Sequence, residues 1–220
     1  YLDLYVANWA CYPRCGRPQD GEPDERYRNN GDGTFSEVTE LLGSKIMAAG
    51  FVASFTDFDN DGDLDIYVVN DEFINPLGNA LWRNDGAGCE GWCFEDVSAP
   101  SGANVSLMGM GLATTDYDND GDFDYYFSNA GPMGFLQNQG DGTFNEIAAS
   151  IGVDSPLRIS FGTIAFDYDN DGWEDLYVAV PAYVGEDDIA ANLLYHNERD
   201  GTFVEVQNNS GAADIGHTLG

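Results

Sequence analysis

Basic side chains are scarce in this 220-residue chain, in which 8 Lys and Arg stand against 39 Asp and Glu and the formal net charge is −31. A surface this negative repels phosphate backbones and anionic lipid head groups, so nucleic-acid binding and direct membrane insertion are disfavoured. Long apolar runs are missing as well. The longest, around residues 176–184, is too short to span a bilayer. Cations are the expected counterpart of such a chain.

Aromatic residues are abundant by contrast, with 13 Phe, 12 Tyr and 4 Trp. They supply more core material than a disordered acidic chain carries, so the chain is predicted to fold. The sequence opens on Tyr1 inside a motif, without an initiating Met or a signal peptide. We therefore expect it to be a piece of a longer protein.

One acidic phrase, D-x-D-N-D-G-x-x-D, begins at Asp57, Asp116 and Asp167, and the tail of a fourth copy includes Asp3. A second phrase alternates with it, resembles R-N-x-G-D-G-T-F and ends at Phe35, Phe94, Phe144 and Phe203. From each such Phe to the next acidic phrase the spacing is 22, 22 and 23 residues, and successive acidic phrases lie 59 and 51 residues apart. This period is in the range of a propeller blade.

Each repeat is predicted to contain four strands, for example 50–55, 65–69, 81–83 and 94–97. Short β-rich runs between Gly and Asn/Asp turns, without a sustained helical period, indicate an all-β fold. The sequence thus predicts a β-propeller segment of about four four-stranded blades, with the acidic loop between the first and second strands. The expected blades are 1–46 (incomplete), 47–105, 106–156 and 157–214, with a further blade starting at 215–220.

The acidic loops are predicted to bind calcium. Ca²⁺ takes about 6–8 oxygen ligands, and side chains at positions 1, 3 and 5 of a tight loop converge on one point when Gly at position 6 allows the turn. Position 7 contributes its main-chain carbonyl and position 9 a last carboxylate. The predicted ligands of about three complete sites are Asp57, Asp59, Asp61, Asp63 and Asp65; Asp116, Asp118, Asp120, Asp122 and Asp124; and Asp167, Asp169, Asp171, Trp173 and Asp175.

Three alternatives to a calcium loop of this type agree less well with the sequence. An EF-hand requires a Glu at position 12 and flanking helices, but position 12 is Val68, Phe127 or Val178 and the flanks are β-rich. Magnesium prefers to keep several waters and rarely occupies an all-protein cage. Solvated acidic turns without an ion would not repeat with this spacing. With every site built alike, a structural ion is favoured over a catalytic one.

The two phrases together resemble the FG-GAP/VCBS repeats of calcium-binding β-propellers, the blade type of integrin α-subunits and of many secreted bacterial proteins, including cartilage-acidic-protein relatives. The resemblance covers essentially the whole chain. It implies a propeller with calcium in the first inter-strand loop of each blade, and it leaves the activity open, because adhesion receptors, lectins and a few sugar lyases share these repeats. The chain departs from the pattern at Gln137 and His196, where Arg is usual, and at Val180, where Asn is usual.

The four cysteines form two C-x3-C pairs, Cys11/Cys15 and Cys89/Cys93, each inside an insertion relative to the other repeats. Local disulfides are the favoured interpretation, which predicts a secreted, cell-surface or periplasmic protein. A zinc site built from all four cysteines and free thiols are the alternatives.

The connection between the second and third strands varies in length and is predicted to lie opposite the calcium loops, where recognition would concentrate. These connections are 9–26, 71–79 and 181–192. The first contains Arg14, Arg17 and Arg26, which suggest either a specific contact or local ion pairs. The recurrent aromatic residues are interpreted as packing between blades rather than as a sugar platform.

The favoured function is an extracellular interaction, adhesion or assembly module with a protein or glycan partner. No nucleophile–histidine constellation is visible, so the chain is predicted not to be an enzyme. His196 is interpreted as a strand residue. A lectin remains one alternative, and a sugar lyase or other enzyme using His217 or a Tyr remains another.

Overall fold

The computed structural model describes residues 1–9, 23–42, 48–72, 77–86, 88, 92–155, 159–181 and 191–214. Within these residues the chain forms four antiparallel sheets, each built from strands that follow one another in sequence. It divides into two compact units, residues 1–107 and 108–220, and each unit contains two sheets.

The first unit begins with a three-stranded sheet, which matches the incomplete repeat at the start of the sequence. Its strands are β1 (Leu4–Val6), β2 (Glu25–Asn29) and β3 (Phe35–Glu37), followed by a 3₁₀ turn at Thr39–Leu42. The second sheet has four strands, β4 (Gly50–Thr56), β5 (Asp65–Asn70), β6 (Ala80–Asn84) and β7 (Phe94–Asp96). Every residue of β5 is buried, as expected for an apolar strand enclosed on both faces.

Arg26 is fully buried in this unit. Its Cζ lies 4.6 Å from the ring centroid of Trp92 and 4.5 Å from that of Phe94, and its Nη2 lies 3.2 Å from Oδ2 of Asp3. The guanidinium is therefore held by cation–π contacts and one buried ion pair, while its Nε and Nη1 have no hydrogen-bond partner within the described residues. Arg26 belongs to β2 rather than to a connection. The sequence suggested either a specific contact or a local ion pair for this residue, and the structure shows a local ion pair. Arg14 and Arg17 lie outside the described residues.

The second unit contains the third and fourth sheets. The third consists of β8 (Gly109–Thr115), β9 (Asp124–Asn129), β10 (Gly134–Asn138) and β11 (Phe144–Glu146), and the fourth of β12 (Thr163–Phe166), β13 (Asp175–Val178), β14 (Leu193–Asn197) and β15 (Phe203–Glu205). One apolar cluster joins these two sheets and includes Tyr126 and Phe135 of the third and Leu176 and Tyr195 of the fourth.

The predicted all-β, propeller-type architecture is confirmed, and the strand bounds expected for the second sheet agree with those observed within one residue. Two one-turn helices were not anticipated, α1 (Ala148–Ile151) and α2 (Gln207–Ser210). Each ends at a glycine with positive φ, Gly152 and Gly211, a common way to terminate a helix. Among the described residues no helix is long and apolar enough to cross a membrane.

Candidate functional site

The three acidic loops connect the first and second strands of the second, third and fourth sheets. Their backbone turns at two positions of positive φ, the Asn at position 4 and the Gly at position 6. In the first loop Asn60 has φ 58° and Gly62 has φ 95°, and the other two loops repeat these values closely. Asn and Gly are the residues that tolerate this conformation best, so the N-D-G core of the phrase dictates the loop shape.

The loops bring the carboxylates of positions 1, 3 and 5 together. In each loop one oxygen from each of the three side chains lies within 4.8 Å of the other two. The sets are Asp57, Asp59 and Asp61; Asp116, Asp118 and Asp120; and Asp167, Asp169 and Asp171. Three adjacent carboxylates repel one another, and a divalent cation offsets that repulsion.

Main-chain amides orient two of the three carboxylates. In the first loop Asp57 accepts hydrogen bonds from the N–H of Asp61 at 3.1 Å and of Gly62 at 3.0 Å. Asp61 accepts one from the N–H of Asp63 at 2.9 Å. The same bonds recur in the second and third loops. Positions 1 and 5 are thus positioned by the loop itself.

The position-3 carboxylate points inward. In the first two loops Oδ1 of Asp59 and Oδ1 of Asp118 are buried and have no hydrogen-bond partner in the part of the chain that the structure describes. Burial raises the pKa of Asp59, and the negative charge of the neighbouring Asp61 raises it further. Burial also raises the pKa of Asp118. A buried, unpaired carboxylate oxygen needs a cation or a proton.

The position-9 aspartates are almost fully buried. Asp65 accepts hydrogen bonds from the N–H of Phe58 at 3.0 Å and of Asn84 at 2.7 Å, so it ties the acidic loop to the third strand of its own sheet. Asp124 and Asp175 make the same pair of bonds in their sheets. Burial raises the pKa of Asp65 to about 7 and that of Asp124 to about 8. For position 7, the ligand role of the Asp63, Asp122 and Trp173 carbonyls stays a prediction.

At the Arg position of the second phrase, the side chains that follow the second and third loops contact loop carboxylates, a contact that the sequence analysis did not predict. Gln137 donates from Nε2 to Oδ2 of Asp118 at 2.9 Å. Arg83 instead donates to Asp85 and Glu95 at the surface. His196 places Nδ1 3.2 Å from Oδ1 of Asp175 and 3.7 Å from Oδ2 of Asp169. The repeat alignment could have signalled this position, because Arg83 is replaced by Gln137 and His196 while the following Asn is retained.

Arg199 is a further residue that sequence reasoning missed. It adopts φ 63° at the repeat position taken by Gly86 and Gly140, a conformation unfavourable for a residue with a long side chain. Its Nε donates to Oδ2 of Asp171 at 2.8 Å, and its Nη2 contacts the same oxygen. The third loop therefore has one carboxylate already paired with a guanidinium.

Most of the connections predicted to carry recognition, and three of the four cysteines, lie outside the described residues. Cys93 is described and is disulfide-bonded; its pairing with Cys89, like that of Cys11 with Cys15, stays a prediction.

An open groove of about 470 Å³ lies on the fourth sheet and is lined mainly by apolar side chains, among them Ile164, Phe166 and Leu194. Binding and catalytic pockets combine an apolar lining with convergent polar groups. Here Ser210, Tyr168 and Tyr177 are the polar members of the lining.

A family model for the FG-GAP-like repeat matches residues 1–68, 57–127 and 116–178. The chain belongs to the FG-GAP-like repeat family. The second and third matches each begin at one acidic loop and end in the strand after the next, so each includes two acidic loops and the strands between them.

Relatives of this FG-GAP-like repeat chain include cartilage acidic protein 1 from three vertebrates. The human protein is 29% identical over 158 residues, which is 69% of this chain and 24% of the human protein. The mouse protein is 28% identical over the same shares. The Xenopus tropicalis protein is 37% identical over 84 residues, 38% of this chain and 13% of that protein. The chain thus spans about a quarter or less of the curated relatives it matches.

Among solved structures, an Agrocybe aegerita lectin that specifically recognises non-reducing terminal N-acetylglucosamine is similar at 16% identity and a TM-score of 0.49. The likeness covers 92% of this chain and 51% of that one.

Proposed function

We propose that this FG-GAP-like repeat chain is a calcium-stabilised, extracellular interaction module rather than an enzyme. The observation that carries the proposal is the convergence of three carboxylates in every complete acidic loop. In the first two loops a buried oxygen of Asp59 or Asp118 also lacks a hydrogen-bond partner among the described residues. Calcium is the preferred ion because these donors are all oxygens and calcium accepts an irregular coordination geometry.

The calcium ions would act on the fold. Each loop joins the first two strands of one sheet, and its position-9 carboxylate accepts a hydrogen bond from the third strand. An ion held at positions 1, 3 and 5 would therefore stabilise the arrangement of these three strands. Ligands that bind the folded state alone raise stability by mass action. This is a structural role, and it leaves recognition to the connections at the other end of each sheet.

A protein partner is favoured over a glycan. Sugar recognition commonly uses exposed aromatic faces, whereas three of the recurrent aromatics, Trp82, Phe144 and Phe203, are buried. Phe35 is 43% exposed, and Tyr27 and Phe94 are partly buried. An extracellular location is supported by the predicted disulfides and by the relationship to cartilage acidic protein 1, which remains an argument by similarity.

Thermal unfolding with calcium or with EGTA tests the proposal. We expect a Tm lower by about 10 °C or more in EGTA, because loss of two or three sites would remove several kcal/mol. Asp59→Asn and Asp118→Asn should each reduce the calcium-dependent gain in Tm. Glu198→Gln is the matched control, since it removes one negative charge from an exposed residue outside the loops. Equal Tm values in calcium and EGTA would contradict the proposal.

A further inference from the structure

The third acidic loop and the second phrase that follows it differ from the two preceding repeats at several aligned positions, three of which bear on metal binding. His196 replaces Arg83 and Gln137, Arg199 replaces Gly86 and Gly140, and Trp173 replaces an aspartate at position 7. We propose that this loop forms a mixed nitrogen–oxygen site for a divalent first-row transition metal, with Asp169, Asp175 and His196 as ligands and Zn²⁺ as the probe. The inference rests on the proposed function in that it takes the acidic loops to be cation sites.

The geometry of the three side chains suits a four-coordinate ion. One donor atom from each of Asp169, Asp175 and His196 lies within 4.8 Å of the other two. Nδ1 of His196 is 3.2 Å from the Asp175 oxygen and 3.7 Å from the Asp169 oxygen. Tetrahedral zinc with bonds of about 2.0–2.1 Å separates its ligand atoms by about 3.3 Å, so small side-chain shifts would complete the coordination.

Arg199 makes the same loop a poorer calcium site. Its guanidinium is paired with Oδ2 of Asp171, while Oδ1 of Asp171 accepts the N–H of Trp173 at 2.9 Å. The positive guanidinium competes with a cation for Oδ2 of Asp171 and offsets one of the negative charges of the loop. Calcium requires about 6–8 oxygen ligands, so this competition weakens calcium binding in the third loop relative to the first two. Zinc requires only three or four protein ligands, and imidazole is among those it prefers.

The surroundings resemble those of an accessible metal site. Asp175 is buried and is held by the N–H of Asn197 at 2.8 Å and of Tyr168 at 3.0 Å. The ring of Tyr168 packs edge-on against that of His196, at 5.8 Å and 78°. The side chains of His196 and Asp169 remain 21% and 35% exposed. Two ligands are thus oriented by neighbouring groups, and solvent can supply a fourth ligand.

The test is a titration of the calcium-saturated chain with Zn²⁺, followed by calorimetry. We expect one additional zinc site in the wild-type chain. His196→Gln, which copies the residue of the second repeat, should weaken zinc binding at least about tenfold and leave the calcium-dependent Tm intact. His217→Gln is the matched control, because it removes the other of the two histidines in the chain, which lies outside the described residues. This substitution should leave the zinc affinity unchanged.

Cobalt substitution provides a measurement that needs no variant. Co²⁺ in the wild-type chain should show the intense visible bands of a four-coordinate nitrogen–oxygen site, and these should disappear in His196→Gln. Unchanged zinc affinity in His196→Gln, or a six-coordinate cobalt spectrum in the wild type, would overturn the proposal. The two proposals can fail separately. If calcium has no effect on Tm, only the calcium role is refuted. If zinc affinity does not depend on His196, only the zinc proposal is refuted.

Discussion

The position-9 aspartates are the residues on which each acidic loop depends most. Asp65 and Asp124 are buried, and both oxygens of each accept main-chain hydrogen bonds. In the absence of an ion, burial raises their pKa values to about 7 and about 8, far above the value of about 3.9 in an unfolded chain. The metal-free folded state therefore holds protons that the unfolded state releases.

This shift predicts a pH-dependent calcium effect. Because the pKa values of Asp65 and Asp124 are raised in the folded state, their protonation contributes fully to its stability below about pH 4. That contribution is lost as the pH rises through about 7–8. We expect the Tm in EGTA to fall between pH 5 and pH 8, and the gain in Tm from calcium to grow over that range. Melting curves recorded by circular dichroism test this.

Asp65→Asn and Asp124→Asn should flatten the pH dependence in EGTA, because an amide does not titrate. Glu198→Gln, which removes the same charge from the surface, should leave it unchanged. A calcium effect on Tm that is the same at pH 5 and pH 8 would argue against these carboxylates as its source.

Each sheet is further joined to its acidic loop by a buried asparagine at the end of its third strand. Asn138 donates from Nδ2 to the carbonyl of Phe123 at 3.3 Å and accepts the N–H of Gly140 at 3.1 Å. Asn84 and Asn197 make the corresponding bonds, and Asn197 also donates to the carbonyl of Tyr117 at 2.8 Å. One side chain thus connects the tight turn to the loop.

At the scale of this element, Asn138→Ala is expected to reduce the free energy of unfolding by about 1–3 kcal/mol, because it leaves buried main-chain groups without their partner. Urea unfolding at saturating calcium measures the loss. The neighbouring Gln139→Ala changes an exposed side chain and should stay within about 0.5 kcal/mol of wild type. Equal losses in the two variants would show that the asparagine is not the connecting group.

For the molecule as a whole, the acidity now has a partial explanation. Twelve of the 39 acidic residues are side-chain ligands proposed for the three loops, and three divalent ions would change the formal charge from −31 to −31 + 6 = −25. The remaining negative surface disfavours anionic partners such as sulfated or phosphorylated polymers.

An array of neutral and anionic glycans, probed with the calcium-loaded chain, tests the choice of partner class. We expect no binding above background, since the buried recurrent aromatics cannot stack on sugars. Specific calcium-dependent binding to one glycan group would favour the lectin alternative over a protein-binding module.

The sequence by itself determined the features that depend on neighbouring residues. The spacing of the two phrases predicts the strands, and the N-D-G core predicts the loop that gathers positions 1, 3 and 5, because these interactions form within nine residues. It did not predict α1 and α2, whose single turns leave almost no periodic signal.

Only the tertiary structure decided what faces each loop. His196 reaches Asp169 and Asp175, and Arg199 reaches Asp171, across separations of 21 to 28 residues. These contacts depend on strand pairing and side-chain direction, since a shift of one residue in register would turn each side chain to the opposite face. The repeat therefore predicts three equivalent loops, and the structure shows that strand pairing places His196 and Arg199, which differ from their counterparts in sequence, against the third one.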